Sequence, residues 1–108
     1  MTNKNQSGGR RNRTEIVIRI LEVVAEPTEK DGVGVTKTTL MYEVFHNSNR
    51  LREYLTALTA YNLLHYDPTM GTYSTTKKGL RYLELWYKLN DMTNELLEQQ
   101  QIWMKRKK

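Results

Sequence analysis

The sequence predicts a mostly helical α+β fold, and three observations carry that prediction. Apolar residues recur at helical spacing in four separate segments of the chain. One stretch past the middle has instead the short apolar runs and turn residues of a β-hairpin. The chain has 108 residues, which is enough for one small domain. Its modest apolar content of 38% predicts a thin core, and domains of this size often gain stability by oligomerising.

The first helix is predicted to begin after Thr14 and to end just before Pro27. Thr14 is a residue type that caps helix N-termini, and the following Glu15 suits the positive end of the helix dipole. Because the residue before a proline avoids the helical region, we expect a loop from Thr28 onwards. Within that loop, residues 33–35 are expected to form a very short strand.

Two further helices follow, separated by a tight turn. Thr36 is the predicted cap of a short second helix, and Asn47 is the predicted cap of a third helix that ends near Tyr61. The third helix has one apolar face, formed by Leu51, Tyr54, Leu55 and Leu58. Asn62 suits the left-handed conformation that ends many helices. A short and a longer helix joined by such a turn form a helix-turn-helix.

A β-hairpin and a long last helix complete the chain. Residues 63–66 and 72–74 are strand-like, and the residues between them favour a turn. Thr76 is the predicted cap of a helix that continues to about Lys105, a length of ~40 Å. This order of elements predicts a winged helix-turn-helix with a two- to three-stranded wing sheet and a long C-terminal coiled-coil helix.

The charge distribution suggests three parts. Residues 1–13 are expected to form a disordered basic arm, residues 14–79 the winged-helix domain, and residues 80–108 a dimerisation helix with a basic tail. The chain has a net charge of +5, although its first helical region, residues 14–47, has a net charge of −3. Basic charge elsewhere favours a polyanionic partner, because attraction to phosphates supplies most non-specific affinity for nucleic acids. The alternative is that this charge only keeps a small protein soluble.

Three short motifs stand out at the second, third and last helices. They are Lys37-Thr38-Thr39-Leu40-Met41-Tyr42, then Tyr54-Leu55-x-x-Leu58 followed by Leu63-Leu64, then Tyr73-x-x-Thr76-x-Lys78-Gly79. Together they resemble a class of small basic archaeal winged-helix proteins, which comprises chromatin-type proteins and transcriptional regulators. The resemblance covers about residues 14–95 and implies DNA binding. In several members of that class the C-terminal helix pairs as an antiparallel coiled coil.

The sequence departs from the pattern of that class at two positions. Asn62 stands where the class more often has glycine, and Thr75 stands where an aliphatic residue is usual. Neither departure threatens the predicted fold. The resemblance does not distinguish a regulator of particular genes from a protein that coats DNA broadly.

The third helix is the expected DNA-binding helix, because the second helix of a helix-turn-helix presents its N-terminal half to the bases. The residues there that suit DNA are Ser48, Asn49, Arg50, Arg52 and Thr56. Arginine pairs with guanine and asparagine with adenine, so Arg50, Arg52 and Asn49 are candidates for base contacts. Contact with phosphates is the alternative for both arginines, and the alternative for all of these residues is an ordinary solvated position on an amphipathic helix. Glu53 faces DNA poorly and is expected to hold an arginine in place.

Further basic residues are candidates for contacts with the DNA backbone. Lys37 begins the second helix, where a side chain can touch a phosphate. The wing tip carries no lysine or arginine, and Lys77 and Lys78 just behind it are the candidate substitutes. The arm contributes three arginines that suit a minor groove: Arg10, Arg11 and Arg13. The alternative for Lys77 and Lys78 is a solvated first helical turn, and the alternative for the arm is an inert tail.

The last helix carries an apolar seam that continues beyond the length needed to cover the domain. The predicted dimerisation residues are Leu85, Trp86, Leu89, Met92, Leu96 and Trp103. Most of them alternate at three- and four-residue steps, as in a coiled coil. An exposed stripe of this kind indicates a partner helix, and we expect a homodimer.

No catalytic site is expected. The sequence has no cysteine, and its two histidines, His46 and His65, have no neighbours at metal-ligand or nucleophile–base spacing. We therefore expect no cofactor, metal, small-molecule ligand or membrane partner, and a cytoplasmic, nucleoid-associated location. One rival hypothesis is a protein–protein adaptor, because winged helices also serve that role. A second rival, RNA binding, has less support, because the tyrosines are committed to helices.

Overall fold

The structure is a computed structural model that describes the backbone of residues 12–107 and the side chains of residues 12–100. In chain order the elements are α1 (Arg13–Asp31), β1 (Val35–Thr36), α2 (Lys37–Glu43), α3 (Ser48–Ala60), β2 (Leu64–Asp67), β3 (Thr72–Thr75) and α4 (Lys77–Lys107). The strands form an antiparallel sheet in the order β1-β3-β2. This is the predicted winged helix, with a three-stranded wing sheet.

The core is formed where α1 packs on the other helices and on the sheet. Its fully buried side chains come from four elements and are Ile20, Leu21, Val24, Leu40, Leu51, Leu55 and Leu64. The described core contains no buried polar or charged residue. Burial of aliphatic side chains therefore holds the helix-turn-helix and the wing on α1, since each such side chain contributes about 1.5–3 kcal/mol. None of the described helices has an apolar stretch long enough to cross a membrane.

The N-terminal end of α1 differs from the prediction. Its cap is Asn12, and Thr14, the predicted cap, lies inside the helix. The Asn12 side-chain oxygen accepts a hydrogen bond from the Glu15 N–H at 2.8 Å, and the Glu15 carboxylate accepts one from the Asn12 N–H at 3.3 Å. This reciprocal pair is a capping box. Arg13 is consequently the first residue of α1 rather than the last residue of a disordered arm.

The C-terminal end of α1 also differs, because the helix continues through Pro27 to Asp31. Proline removes one intrahelical hydrogen bond, and the Thr28 hydroxyl donates to the Val24 carbonyl at 2.8 Å in the same turn. The helix ends at Gly32, which has a φ of 67° and donates its N–H to the Thr28 carbonyl at 2.9 Å. The prediction of an end before Pro27 is therefore wrong, and the left-handed glycine cap sets the end instead.

The N-termini of α2 and α3 have the predicted caps. The Thr36 hydroxyl accepts a hydrogen bond from the Thr39 N–H at 3.2 Å, and the Asn47 side-chain oxygen accepts one from the Arg50 N–H at 3.1 Å. Asn62 has the predicted left-handed conformation, with a φ of 64°. The caps satisfy backbone donors at the two helix starts, and Asn47 does so at the end of the turn between α2 and α3.

The sheet joins the start of the helix-turn-helix to the wing. The first strand lies at Val35–Thr36, slightly later than the predicted 33–35, and Thr36 pairs with Thr72 of β3. Gly34 allows this approach, because a Cβ atom there would lie 2.5 Å from the Thr72 hydroxyl oxygen. The hairpin of β2 and β3 agrees with the prediction.

The start of α4 is anchored on the sheet and on α1. The Thr76 hydroxyl accepts a hydrogen bond from the Gly79 N–H at 3.0 Å, which confirms Thr76 as a cap. Leu83 is buried, and Leu80 and Trp86 pack partly against the core. The helix has 31 residues, and every described residue from position 87 to position 100 is exposed. The second half of α4 therefore lies beyond the packed core.

Candidate nucleic-acid interface

The candidate interface is centred on α3, the second helix of the helix-turn-helix. Three leucines of α3, at positions 51, 55 and 58, are buried against the core. Because successive residues of an α-helix are about 100° apart, the opposite side of α3 carries Asn49, Glu53, Thr56 and Ala60. All four are exposed. We call these four residues the outward face of α3.

Arg50 and Arg52 lie beside the outward face, on opposite flanks. Both side chains are exposed. Two residues along an α-helix correspond to a rotation of about 200°, so the two guanidinium groups leave α3 in nearly opposite directions. They therefore start from opposite flanks of α3, although the sequence suggested similar roles for them. Ser48 is also exposed, at the first position of the helix.

The flank that carries Arg50 is built from three elements. The Arg50 guanidinium lies over the Phe45 ring, 5.3 Å from its centroid, in the geometry of a cation–π contact. The Tyr54 ring meets the Phe45 ring edge-on, with 6.3 Å between the centroids. Arg13, the first residue of α1, lines an open hollow of about 280 Å³ together with Arg50, Glu53 and Tyr54. The structure thus brings two of the predicted DNA-binding arginines, Arg13 and Arg50, to one side of α3.

Lys37 lies at the wing. It directly follows Thr36, which pairs with Thr72 at the start of β3. The turn before Thr72 is fixed by Asp67, whose carboxylate accepts hydrogen bonds from the backbone of residues 69 and 70. The wing tip has no basic residue of its own, so Lys37 is the predicted DNA-binding cation nearest to it along the sheet.

Lys77 and Lys78 lie at the other end of α3. The Lys78 ammonium donates a hydrogen bond to the Tyr61 carbonyl at 2.8 Å, an interaction that also suits the negative end of the helix dipole. Tyr61 is about 16 Å along the helix axis from Arg50. The structure therefore does not bring these two lysines together with the N-terminal half of α3. Their contribution to the interface stays a prediction.

Some predicted site residues fall outside the described parts of the chain. Arg10 and Arg11 precede residue 12, where the described backbone begins. Trp103 follows residue 100, the last residue whose side chain is described. The predictions for these three residues remain as the sequence gives them.

The seam on α4 is largely exposed. Leu85, Leu89, Met92 and Leu96 expose 52%, 58%, 67% and 66% of their surface. Trp86 differs, because it is half-buried against the core and thus belongs to the side of α4 that faces the domain. The described part of the apolar seam therefore consists of Leu85, Leu89, Met92 and Leu96.

Sequence reasoning did not single out two apolar residues of α4. Leu83, which is buried, lies on the side of the helix that faces the domain. Leu97 exposes 51% of its surface and adds to the apolar area beside the seam. The signal that was available is a second apolar spacing along α4, formed by Leu80, Leu83 and Trp86 at three-residue steps.

A hydrogen bond between Tyr87 and Glu22 fastens α4 to α1. The Tyr87 hydroxyl donates to the Glu22 carboxylate. This hydrogen bond, together with partial burial and the negative charge of Glu22, raises the pKa of Tyr87 from 10.0 to about 12. The contact adds to the packing of Leu83 and Trp86 that holds α4 on the domain.

An acidic groove lies on a different side of the domain from α3. It has a volume of about 1020 Å³ and lies between α1, β1, α2 and α4, and none of its lining residues belongs to α3. Its charged lining residues are Arg19, Glu22, Glu26, Glu29, Lys30 and Glu43. Arg19 and Glu43 form an ion pair at 3.8 Å. The remaining surplus of carboxylates disfavours contact of this side with a polyanion.

A comparison with protein families identifies the domain. A family profile described as winged helix-turn-helix matches residues 10–94. The match includes the helix-turn-helix, the wing and the first half of α4, and it points to DNA binding in general. A search of curated proteins finds no match. On the strength of the fold and of a match over most of its length, the chain belongs to the winged helix-turn-helix family.

Proposed function

We propose that this protein binds double-stranded DNA as a homodimer and that α3 of each protomer enters the major groove. The observation that carries the proposal is the arrangement of α3. It is the second helix of the helix-turn-helix, its exposed side is polar, and an arginine lies on each flank. The second helix of this motif is the one that enters the major groove of DNA. A helix of this width fits the groove, which is about 12 Å wide.

Four basic side chains are available for the phosphates that border the groove. Arg50 and Arg52 flank α3, Arg13 shares the hollow beside Arg50, and Lys37 lies at the wing. Phosphate contacts of this kind fix the position of a protein on the duplex and supply most of its affinity. In this proposal Arg10 and Arg11 of the basic arm also contact the DNA.

The apolar seam of α4 supports the homodimer. Four large apolar side chains are exposed at three- and four-residue steps on a helix that extends beyond the core. We propose an antiparallel pairing, which the family resemblance also implies. When Leu89 faces the partner's Met92, Lys88 lies close to the partner's Glu95, and the two-fold axis repeats this pair of opposite charges. A parallel pairing lacks that charge match.

The biological role that fits this proposal is transcriptional regulation or a chromatin-type function in the nucleoid. Dimerisation places two α3 helices on one duplex, so each protomer raises the effective concentration of the other. In this proposal the basic arm and residues 14–79 supply the DNA contacts, and residues 80–108 supply the dimer contacts.

The test of the DNA contact is a comparison of two double variants. Arg50→Ala/Arg52→Ala removes the flanking arginines, and Lys30→Ala/Arg81→Ala removes the same charge from exposed positions outside α3. Fluorescence anisotropy with a labelled random duplex is expected to show weaker binding for the first variant only. For the Arg50→Ala/Arg52→Ala variant, the slope of log K against log salt is expected to become smaller in magnitude by about 1 for each lost phosphate contact. Equal binding by the two variants would show that α3 is not the DNA-binding helix.

The test of the dimer is sedimentation at tens of micromolar protein. The parent is expected to sediment as a dimer, and Leu89→Glu is expected to sediment as a monomer, because it places a charge in the seam. Asn94→Glu is the matched control, because Asn94 is exposed on a different side of the same helix. A monomeric parent would contradict the homodimer. A dimer that does not bind DNA even at low salt would favour the protein–protein adaptor.

A further inference from the structure

Glu53 lies at the centre of the outward face of α3. It is exposed, and Asn49 and Thr56 lie one turn before it and one turn after it on the same side of the helix. The buried leucines of α3 are on the opposite side. When α3 lies in a major groove, the carboxylate of Glu53 therefore points towards the base edges more directly than either arginine does.

The carboxylate of Glu53 is not used within the domain. Among the described residues, the one ion pair within 4.0 Å joins Arg19 and Glu43. Arg50, which precedes Glu53 by one turn, lies over the Phe45 ring instead. Glu53 lines the same hollow as Arg13 and Arg50 without an ion pair to either of them, so the expectation that it holds an arginine in place stays a prediction.

A carboxylate at this position has a defined chemistry towards DNA. It is repelled by phosphates, so it lowers the affinity for DNA in general. It can accept a hydrogen bond from the N4 amino group of cytosine, which is exposed in the major groove. Thymine and guanine present hydrogen-bond acceptors at the corresponding edge, and adenine presents its N6 donor directly beside the N7 acceptor, so all three repel a carboxylate more than cytosine does. An acidic residue at the centre of a DNA-binding face therefore discriminates between base pairs while it weakens general affinity.

We propose that Glu53 is a specificity-determining residue that selects a C·G base pair in the major groove. Asn49 and Thr56 contact the bases on either side, and Arg50 and Arg52 straddle the groove and contact phosphates of the two strands. This inference rests on the proposed function, because it requires α3 to lie in the groove. It assigns the arginines to positioning and the residues between them to base recognition.

The flanking arginines have the geometry that this division requires. Their side chains leave α3 about 200° apart. The phosphates lie along the two edges of a groove about 12 Å wide, so each arginine is directed towards a different edge. Arg50 is held by Phe45, and it shares its hollow with Arg13, which is a second cation for the same strand. Two arginines on one flank suit a phosphate, because arginine forms charge-assisted bidentate hydrogen bonds with phosphate oxygens.

The test is selection of bound sequences from a library of randomised duplexes, carried out with the parent and with Glu53→Gln. The parent is expected to enrich a site with cytosine at one position of each half-site, preferred about fivefold or more over the other bases. Glu53→Gln is expected to lose that preference and to favour adenine at the same position, because the glutamine amide pairs with adenine. Its affinity for a random duplex is expected to rise, because a negative charge is removed.

Arg52→Ala serves as the matched variant on the flank. It is expected to lower the salt slope by about 1 and to leave the selected sequence unchanged. The proposal is overturned if Glu53→Gln selects the same sequence as the parent, or if Arg52→Ala changes the preferred base. A parent that binds in a salt-dependent manner but selects no sequence overturns this inference and leaves the proposed function intact. A parent that does not bind DNA at low salt overturns both.

Discussion

Replacing Gly79 by alanine is expected to destabilise the domain, even though alanine is the better helix former. Gly79 lies in the first turn of α4, where an added Cβ atom would lie 2.3 Å from the Leu63 carbonyl oxygen and 2.8 Å from the Thr75 hydroxyl oxygen. The first distance is 1.1 Å short of the 3.4 Å at which ordinary contact begins. Because the nearest atom belongs to the backbone, either α4 or the start of the hairpin must move.

The expected size of the effect follows from two opposing contributions. Overpacking costs about 1–3 kcal/mol, and a clash with backbone belongs at the upper end of that range. The higher helix propensity of alanine returns about 1 kcal/mol. The net expectation is a loss of about 2 kcal/mol, which corresponds to a fall in melting temperature of about 8–16 °C for a domain of this size.

Thermal unfolding followed by circular dichroism, at one fixed protein concentration, measures this effect. Asn94→Ala is the control, because it raises helix propensity at an exposed position of the same helix. We expect the control to melt at or slightly above the temperature of the parent. A Gly79→Ala variant that melts as high as the control would show that α4 is not packed this closely on the hairpin.

Two further predictions concern local contacts. Asn47→Ala removes the cap of α3 and is expected to lower the unfolding free energy by about 1 kcal/mol in denaturant titrations; an unchanged value would contradict the cap. Tyr87→Phe removes the hydrogen bond to Glu22, and the parent is expected to be more stable than this variant below pH 10. Because folding raises the pKa of Tyr87 from 10.0 to about 12, that advantage is expected to disappear as the pH rises from 10 to 12. An advantage that persists beyond this range would mean that the phenol proton does not contribute.

The helix-turn-helix is the part of the fold that the sequence predicted best, because its signals are local. The caps Thr36 and Asn47 and the left-handed Asn62 each act on backbone groups within three residues. A short polar side chain next to an apolar repeat is enough to locate such a boundary. The wing was predictable for the same reason, since strand and turn residues alternate clearly there.

The ends of α1 were mispredicted because competing local signals had to be ranked. At the N-terminus, Asn12 and Glu15 form the capping box, and that spacing outweighs a single threonine. At the C-terminus, Pro27 has a strong general preference against the helix interior. The Gly32 cap and the Thr28 hydroxyl bond override it within the last turns. Neither helix end can be located from the preferences of single residues, because each end depends on how two residues interact.

The candidate site was predictable in its residues but not in its geometry. The opposite directions of Arg50 and Arg52 follow from helical periodicity once the buried leucines are known. The contact of Arg50 with Phe45 and the approach of Arg13 to the same flank depend on how α1, α2 and α3 pack together. Contacts of this kind arise from tertiary structure, so no spacing in the sequence indicates them.

The salt dependence of binding to a labelled random duplex is the most direct test of DNA binding. If the four basic side chains around α3 each neutralise one phosphate, the slope of log K against log salt is expected to be about −3.6 per protomer engaged, at about −0.9 per contact. A linear loss of affinity with such a slope is the predicted result. Absence of binding at low salt, or binding that does not change with salt, would contradict the proposal that this protein acts on DNA.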